Sequence, residues 1–276
     1  MGEPFIKLHG LGNDFIVIDR RSSGEAPSAD VARALCDRHR GIGADGVLSI
    51  LPGNGRARMR VTNADGSIAE MCGNGLRCVA KFLGDVDSNL RELTIDTDAG
   101  PRRCELVREN GRVVAAIAEM GAPILEPQKL PMDAPAGRFV QGDIAVDGLR
   151  EPLRGTAVSM GNPHLVLWDT PPERAAELGP KLEVHPRFPN RTNVEFVRAG
   201  NPVEVVVWER GCGLTQACGT GACATVVAGV LEGRLRAGEE IAVRLPGGVL
   251  GIRVAKDLSQ VWMRGEVVEV FRGTLP

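Results

Sequence analysis

The chain has 276 residues, room for one large domain or two of ordinary size, and its 43% apolar and 25% charged residues are the profile of a water-soluble globular protein. A formal net charge of -2 leaves no basic excess to hold a nucleic-acid backbone or an anionic membrane, so the expected partner is a small molecule, with no nucleic acid and no membrane. The opening MGEPFIKLHG lacks the basic start and apolar run of a secretory signal, Ile6 stands where myristoylation needs Ser or Thr, and no stretch reaches transmembrane length, so a cytoplasmic location is expected.

In chain order, β-branched runs predict a strand over 15–18, and Ser28 and Asp30 can cap a helix running to about 38. Strands follow over 47–50 and 59–62, a helix over 74–82, and a strand over 113–117. A hinge is expected near Met120-Gly121-Ala122-Pro123. Beyond it come a strand over 165–168, a helix begun by Pro172 and running to about 178, strands over 194–197 and 203–208, and a helix over 220–231. A last strand over 267–271 can return to the first half. Leu76, Val79, Ala80 and Phe82 in one helix, and Ala222, Ala224, Val226, Val227 and Val230 in another, leave almost no polar face, which places both helices in a core.

The sequence repeats itself weakly at about half its length. Residues 71–78 read MCGNGLRC and residues 217–224 read ACGTGACA, so Cys72 and Cys218 open the same C-G-x-G motif 146 residues apart. Upstream, GNDFIVI from Gly12 parallels GNPHLVL from Gly161 at an offset of 149, and downstream Leu93 to Gly100 parallels Ile241 to Gly248. A β-like run precedes each cysteine motif. Matches in one order at nearly constant spacing imply two halves of similar fold. The expected class is therefore α/β (α+β), with two pseudo-symmetric domains, each a curved mixed or antiparallel sheet wrapped around a central helix, and the active site in the interdomain cleft. The expected domains are 1–119 with the returning strand 266–276, and 120–265.

The seven cysteines (36, 72, 78, 104, 212, 218 and 223) are odd in number, contain no CxxC and lie far from the four histidines in sequence. This is neither a disulfide framework nor a zinc pattern, so no metal is expected. Cys78 and Cys223 inside the helices, and Cys36, Cys104 and Cys212 elsewhere, read as small buried hydrophobes. Cys72 and Cys218 differ because each stands at a Gly-rich helix start. The first turn of a helix leaves backbone N–H groups unpartnered and carries about half a positive charge, which suits a carboxylate. Glycines 73, 75, 219 and 221 let the backbone approach a ligand. The same field lowers the pKa of a cysteine at the helix end and favours thiolate. Two such thiols fit the inversion of an α-carbon, in which one group removes a proton from one face and the other returns one to the opposite face. The helix ends would stabilise charge building on the α-carboxylate as the proton leaves.

These motifs resemble a known family. HGLGNDF (9–15), NADGS (63–67), MCGNG (71–75), MGNPH (160–164), RTNVEF around Asn193, WERG (208–211), QACGTGA (216–222) and LPGG (245–248) are similar to diaminopimelate epimerase along almost the full chain. The resemblance implies an isomerase with a two-domain α/β fold and no pyridoxal phosphate, other cofactor or metal. It implies interconversion of LL- and meso-2,6-diaminopimelate in lysine and peptidoglycan biosynthesis, and a homodimer. By position, Cys72 would be the base toward the LL isomer and Cys218 the base toward the meso isomer. Gly73, Asn74, Gly219 and Thr220 would offer backbone N–H groups to the reacting α-carboxylate. Asn13, Asn63, Asn162, Asn193, Glu209 and Arg210 would hold the distal, unreacted centre, and His164 would orient or activate a thiol. A neutral amide set, one acid and one forked cation suit a remote ammonium and carboxylate. Gly46 departs from family members that carry a glutamine contacting substrate there.

Plainer readings stand beside these. Asn13, Asn63 and Asn162 can serve only as turn residues, Glu209 and Arg210 can form a surface ion pair, and His164 can be a satisfied structural histidine. Among related two-cysteine enzymes, a racemase acting on proline, hydroxyproline or histidine is the alternative. Proline racemase-like chains usually carry a histidine after the first C-G, where this chain has Asn74, and such substrates leave the asparagine set and Arg210 without a purpose. Related isomerases lacking the cysteine pair are excluded by Cys72 and Cys218. A redox-switched disulfide between the two in a binding protein is the reading from a different class.

Overall fold

A computed structural model of the chain describes residues 2–275. The chain divides into two compact units, Met1–Glu119 with Arg264–Pro276, and Met120–Met263. None of the helices among the described residues is long and apolar enough to cross a membrane.

The first unit contains β1 (Glu3–Gly10), β2 (Asn13–Asp19), α1 (Ala29–Cys36), β3 (Gly46–Leu51), β4 (Ala57–Asn63), β5 (Ile68–Ala69), α2 (Gly73–Val86), β6 (Glu92–Asp96), β7 (Arg102–Glu109) and β8 (Arg112–Gly121), the last of which reaches into the second unit. Pairing is antiparallel for β1–β2, β3–β4, β6–β7 and β7–β8, and parallel for β2–β3 and β4–β6. Each parallel step needs a crossover, and α1 and α2 supply the two. Ser28 caps α1 by accepting from Val31 N–H, and α1 ends at Cys36, two residues short of the expected end, because Asp37 turns the chain by accepting from His39 and Arg40 N–H. The last strand of the chain, Val268–Leu275, pairs antiparallel with β1. Helix α2 lies against β1, β2, β3, β4, β6 and β7, so the sheet curls around it.

The second unit contains β9 (Gly142–Ile144), β10 (Leu153–Ser159), β11 (Pro163–Leu167), α3 (Ala175–Glu183), β12 (Asn193–Arg198), β13 (Val203–Glu209), β14 (Gly213–Leu214), α4 (Gly219–Leu231), β15 (Glu240–Leu245), β16 (Gly248–Val254) and β17 (Val261–Glu266). Its pairings repeat those of the first unit. They are antiparallel for β10–β11, β12–β13 and β15–β16, and parallel for β11–β12 and β13–β15, with a short strand after β13 as after β4. Helix α4 lies against β10, β11, β12, β13, β15 and β16, the counterparts of the strands around α2. Register aligns the halves residue by residue. Phe15 pairs with Gly46 and His164 with Asn193 across the equivalent parallel steps, and Val17 pairs with Leu48 as Val166 does with Glu195. The last strand is β18 (Val268–Leu275).

Two local expectations change. Pro172 opens a short 3-10 turn over Pro172–Arg174, and the α-helix begins only at Ala175 and continues past Pro180 to Glu183. Proline suits a first turn because its missing N–H is not needed there. Helix α2 is not apolar all round, because Arg77 and Lys81 are buried in it at 0% and 5% exposure. Lys81 is held by Asp85 at 2.9 Å and by the Val113 carbonyl at 2.6 Å, which compensates its burial. Helix α4 is apolar as expected, with Ala222 to Gly229 all buried.

Candidate active site

In both units the cysteine is the N-cap residue of the central helix. Cys72 has extended backbone (φ -139°, ψ 115°), and its sulfur accepts from Gly75 N–H at 3.4 Å. Cys218 is built alike (φ -120°, ψ 102°), and its sulfur accepts from Gly221 N–H at 3.4 Å. Leu76 and Ala222 N–H return to the carbonyls of Cys72 and Cys218 at 2.8 and 3.0 Å. The N–H groups of Gly73, Asn74, Gly219 and Thr220 therefore stand at the start of each first turn, without partners inside the helix. Glycine is needed at both third positions. A Cβ on Gly75 would lie 2.9 Å from Leu48 Cδ2, and one on Gly221 would lie 2.8 Å from Glu195 Oε1 and 3.2 Å from Cys218 Sγ.

Around Cys72 the neighbours are amides. Its thiol lies 3.9 Å from Asn13 Oδ1, and the same oxygen accepts from Asn74 Nδ2 at 3.1 Å. Asn13 Nδ2 donates to Asp45 at 2.8 Å, so the side chain is clamped at both ends and does more than form a turn. Asn74 Oδ1 accepts from the buried Arg77 guanidinium at 2.5 Å, and Arg77 also reaches the Gly73 carbonyl at 3.2 Å. Asn63 closes the turn after β4, with its backbone bonded to Ser67 and Gly66 and its Nδ2 donating to Ser67 Oγ at 3.0 Å. Gly46 faces Asn63 across β3–β4, and a Cβ there would lie 2.8 Å from the Thr62 carbonyl, so this backbone leaves no room for a longer residue.

Beneath Asn13 lies a charge network absent from the sequence reading. Asp14 is bonded to Arg38 at 2.7 Å and to Lys7 at 2.8 Å, and Arg38 also holds Asp45 at 2.7 Å. Burial alone would push the Asp14 carboxyl up, but hydrogen bonds and charge from Arg38 and Lys7 outweigh it and hold the group at about 2, below the ordinary 3.8. A carboxyl depressed in the folded state stabilises the fold above its unfolded pKa and loses that contribution as pH falls through the folded one. Asp14→Asn is therefore expected to cost about 2 kcal/mol at neutral pH and to flatten the loss of stability between roughly pH 4 and pH 2. Urea midpoints measured across that window check this, and an unchanged acid limb would refute it.

Around Cys218 the neighbours are acidic. The thiol lies 3.5 Å from Thr220 Oγ1 and near the Glu209 carboxyl, which accepts from Thr215 Oγ1 at 2.5 Å. Burial, then charge on the nearby Glu209, push the Cys218 thiol well above its ordinary 9.0, and the donors of Thr220 and Gly221 only partly oppose them. The expectation of a thiolate-favouring helix end is corrected here, because desolvation and the nearby Glu209 outweigh the helix terminus. Burial likewise raises Glu209.

His164 is fully buried in β11, with Nδ1 2.6 Å from Glu195 Oε1 and Nε2 3.1 Å from Asn162 Oδ1. Asn193 Nδ2 donates to the Pro163 carbonyl at 2.8 Å, and its Oδ1 accepts from Arg210 N–H at 2.9 Å, which ties it to the turn after β13. The Arg210 guanidinium reaches the Asn190 carbonyl at 3.2 Å, and Arg210 and Glu209 do not pair with each other in the described structure.

The first unit thus gathers Asn13, Cys72, Gly73 and Asn74 within bonding reach, with Asn63 at the end of the adjacent strand. The second gathers Cys218, Gly219, Thr220 and Glu209, and separately Asn162 with His164 and Asn193 with Arg210. Sequence reasoning missed Asp45, Arg77, Thr215 and Glu195. Glu195 had a signal, an acid in the otherwise apolar strand Val194 to Val197. Cys36, Cys78 and Cys104 are buried and raised by that burial to about 11, 12 and 12, as inert core thiols are. Cys212 is exposed, contrary to the expectation of a buried hydrophobe, because it lies in the tight turn between β13 and β14.

Comparison with known proteins identifies the family. The family described as Diaminopimelate epimerase matches residues 5–126 and 156–270. The chain is 48% identical to diaminopimelate epimerase of Desulforudis audaxviator over 279 residues, covering 98% of each chain. It is 44% identical to that of Moorella thermoacetica over 281 residues, covering 99% of each. Among solved structures it is similar to a hydroxyproline epimerase from Agrobacterium vitis with bound trans-4-hydroxy-L-proline, at a TM-score of 0.66 and 16% identity, over 99% of this chain and 90% of that one, a likeness of fold. The chain is an isomerase and belongs to the diaminopimelate epimerase family.

Proposed function

We propose that the protein interconverts LL- and meso-2,6-diaminopimelate by two-base proton transfer, with Cys72 and Cys218 as the acid–base pair. The observation that carries this reading is the N-cap placement of both cysteines on Gly-rich central helices in two halves of the same topology. Relatives that cover almost the whole chain and bear this name support the substrate. From the LL isomer, the Cys72 thiolate removes the α-proton, and the Cys218 thiol delivers its own proton to the opposite face. The raised pKa of Cys218 suits the donor in that direction. In reverse, Cys218 must first lose its proton, and the nearby Glu209 carboxyl is the acceptor this reading assigns.

Gly73, Asn74, Gly219 and Thr220 offer N–H groups to the carboxylate on the reacting carbon. Asn13, Asn63, Asn162, Asn193 and Arg210 hold the distal amino-acid end, and leaving them unpaired penalises substrates with a single end. Glu209 sits beside the Cys218 thiol, so its part lies closer to the proton transfer than to distal binding. The chemistry of the reading uses no cofactor and no metal. The same reading places the enzyme in the cytoplasm, in lysine and peptidoglycan synthesis, as a homodimer.

The experiment is incubation with LL-diaminopimelate in deuterated water under reducing conditions, with no cofactor added. The expected result is deuterium at one α-carbon together with meso product. Exchange with proline or hydroxyproline instead would keep the mechanism and overturn the substrate, and no exchange with any amino acid would overturn both.

A further inference from the structure

Glu195 stands in the middle of β12 at 0% exposure, with one oxygen on His164 and the other, Oε2, without a hydrogen-bond partner. A buried acid with an orphaned oxygen calls for a reason. The duplication supplies an internal control. By strand register, Phe15 and Leu48 of the first unit take the places of His164 and Glu195 in the second. Leu48 packs beneath Gly75 as Glu195 packs beneath Gly221, at 2.9 and 2.8 Å from the Cβ positions. The fold therefore accepts an apolar pair at this place, and the polar pair serves something other than packing.

Hydrogen accounting shows what. Asn162 Oδ1 can only accept, so His164 Nε2, 3.1 Å away, carries the hydrogen. Nδ1 then either accepts from a protonated Glu195 or, as imidazolium, donates to a carboxylate. The ionised form would leave a buried charge on Oε2 with no donor among the described residues, whereas the neutral acid leaves only a carbonyl oxygen there. The titratable groups facing this acid are His164, Glu209 and Cys218. Burial raises Glu195, His164 opposes and Glu209 adds to the rise. A neutral Glu195 also spares Cys218 one of its two acidic neighbours.

We propose that Glu195 is a positioning residue for substrate binding: it donates to His164 Nδ1, locks the ring with its hydrogen on Nε2, and so holds Asn162 by its carbonyl oxygen with the amide N–H₂ free for a substrate carboxylate. The proposal rests on the reading of Asn162 as a substrate-binding residue. The partner chemistry is a carboxylate on the distal end of the amino acid, which an amide offered by its oxygen would repel.

Two variants and one spectrum test it. Glu195→Gln keeps a donor to Nδ1 in the shape of the neutral acid, and Glu195→Leu installs what the first unit carries. Imidazole ¹⁵N shifts of the free protein, with His164 identified by the signal lost in His164→Gln, should show a neutral Nε2–H ring in the wild type and in Glu195→Gln, and mixed tautomers in Glu195→Leu. Kinetically, Glu195→Leu should raise KM for diaminopimelate about tenfold with kcat within about threefold, and Glu195→Gln should stay within about threefold in both. An imidazolium spectrum in the wild type, a Glu195→Gln enzyme as impaired as Glu195→Leu, or an unchanged KM in Glu195→Leu would each overturn the proposal. The spectrum is read without substrate, so a failure of the substrate assignment would show as absent turnover with the tautomers still as stated.

Discussion

Cys72→Ala and Cys218→Ala should each lower the conversion of LL- to meso-diaminopimelate by about 10³-fold or more, the scale of a lost general acid or base. The two losses should differ in what survives. An enzyme lacking Cys218 keeps the base that acts on the LL isomer, so LL-diaminopimelate should slowly take up solvent deuterium without inverting. An enzyme lacking Cys72 should do the same with the meso isomer. Isomer-resolved mass spectrometry after incubation in deuterated water reads both results. The reverse pattern would exchange the two assignments, and full activity in either variant would end the two-base reading. Each cysteine caps its helix through its sulfur, which accepts from Gly75 or Gly221 N–H at 3.4 Å, so alanine should cost about 1 kcal/mol of stability and leave the fold intact.

Arg77→Ala should lower the stability of the first unit by about 3–5 kcal/mol, because it leaves both a cavity and broken buried hydrogen bonds. The guanidinium is fully buried, donates to Asn74 Oδ1 at 2.5 Å and Gly73 carbonyl at 3.2 Å, and packs so closely on Gly10 that a Cβ there would lie 2.9 Å from it. Asn74 in turn donates to Asn13, so the loss should spread to the amide cluster beside Cys72. Arg77→Lys should not restore it, since one ammonium cannot reproduce the fork that spans a side-chain and a backbone oxygen. Urea unfolding with a probe in the first unit measures this. A shift below about 1 kcal/mol would mean that the buried fork contributes little to the helix start.

The asymmetry between the two thiols has a physical consequence. The halves repeat each other in strand order and helix capping, yet Cys72 has the amides of Asn13 and Asn74 for company, whereas Cys218 has Glu209 and Glu195. A duplicated scaffold thus presents two equivalent sulfurs in unequal fields. On the two-base reading proposed above, the environment of Cys218 favours the thiol that the donor in the LL-to-meso direction needs, because burial and the nearby Glu209 raise its pKa.

Much of this was legible in the residues themselves. The two C-G-x-G motifs, their spacing and the flanking GN and LPGG segments announce a duplication, because identical backbone demands at a helix start require the same glycines wherever they recur. Strand positions followed from β-branched runs, and the central helices from their apolar periodicity. These are local or pairwise properties, written in contiguous residues. The parallel pairings that bring Asn193 beside His164, and Glu195 beneath Gly221, join segments separated by tens of residues, and no local pattern specifies them. The same holds for Arg77, which reads as a surface charge on a helix until the sheet closes over it, and for Cys218, whose helix end argues for thiolate until burial and the nearby Glu209 are summed. Sequence alone determined which residues could do the chemistry and that they come in two matching sets. Tertiary structure decided their protonation and their partners, because desolvation and Coulomb energy depend on what surrounds a group in space and not on what adjoins it in the chain.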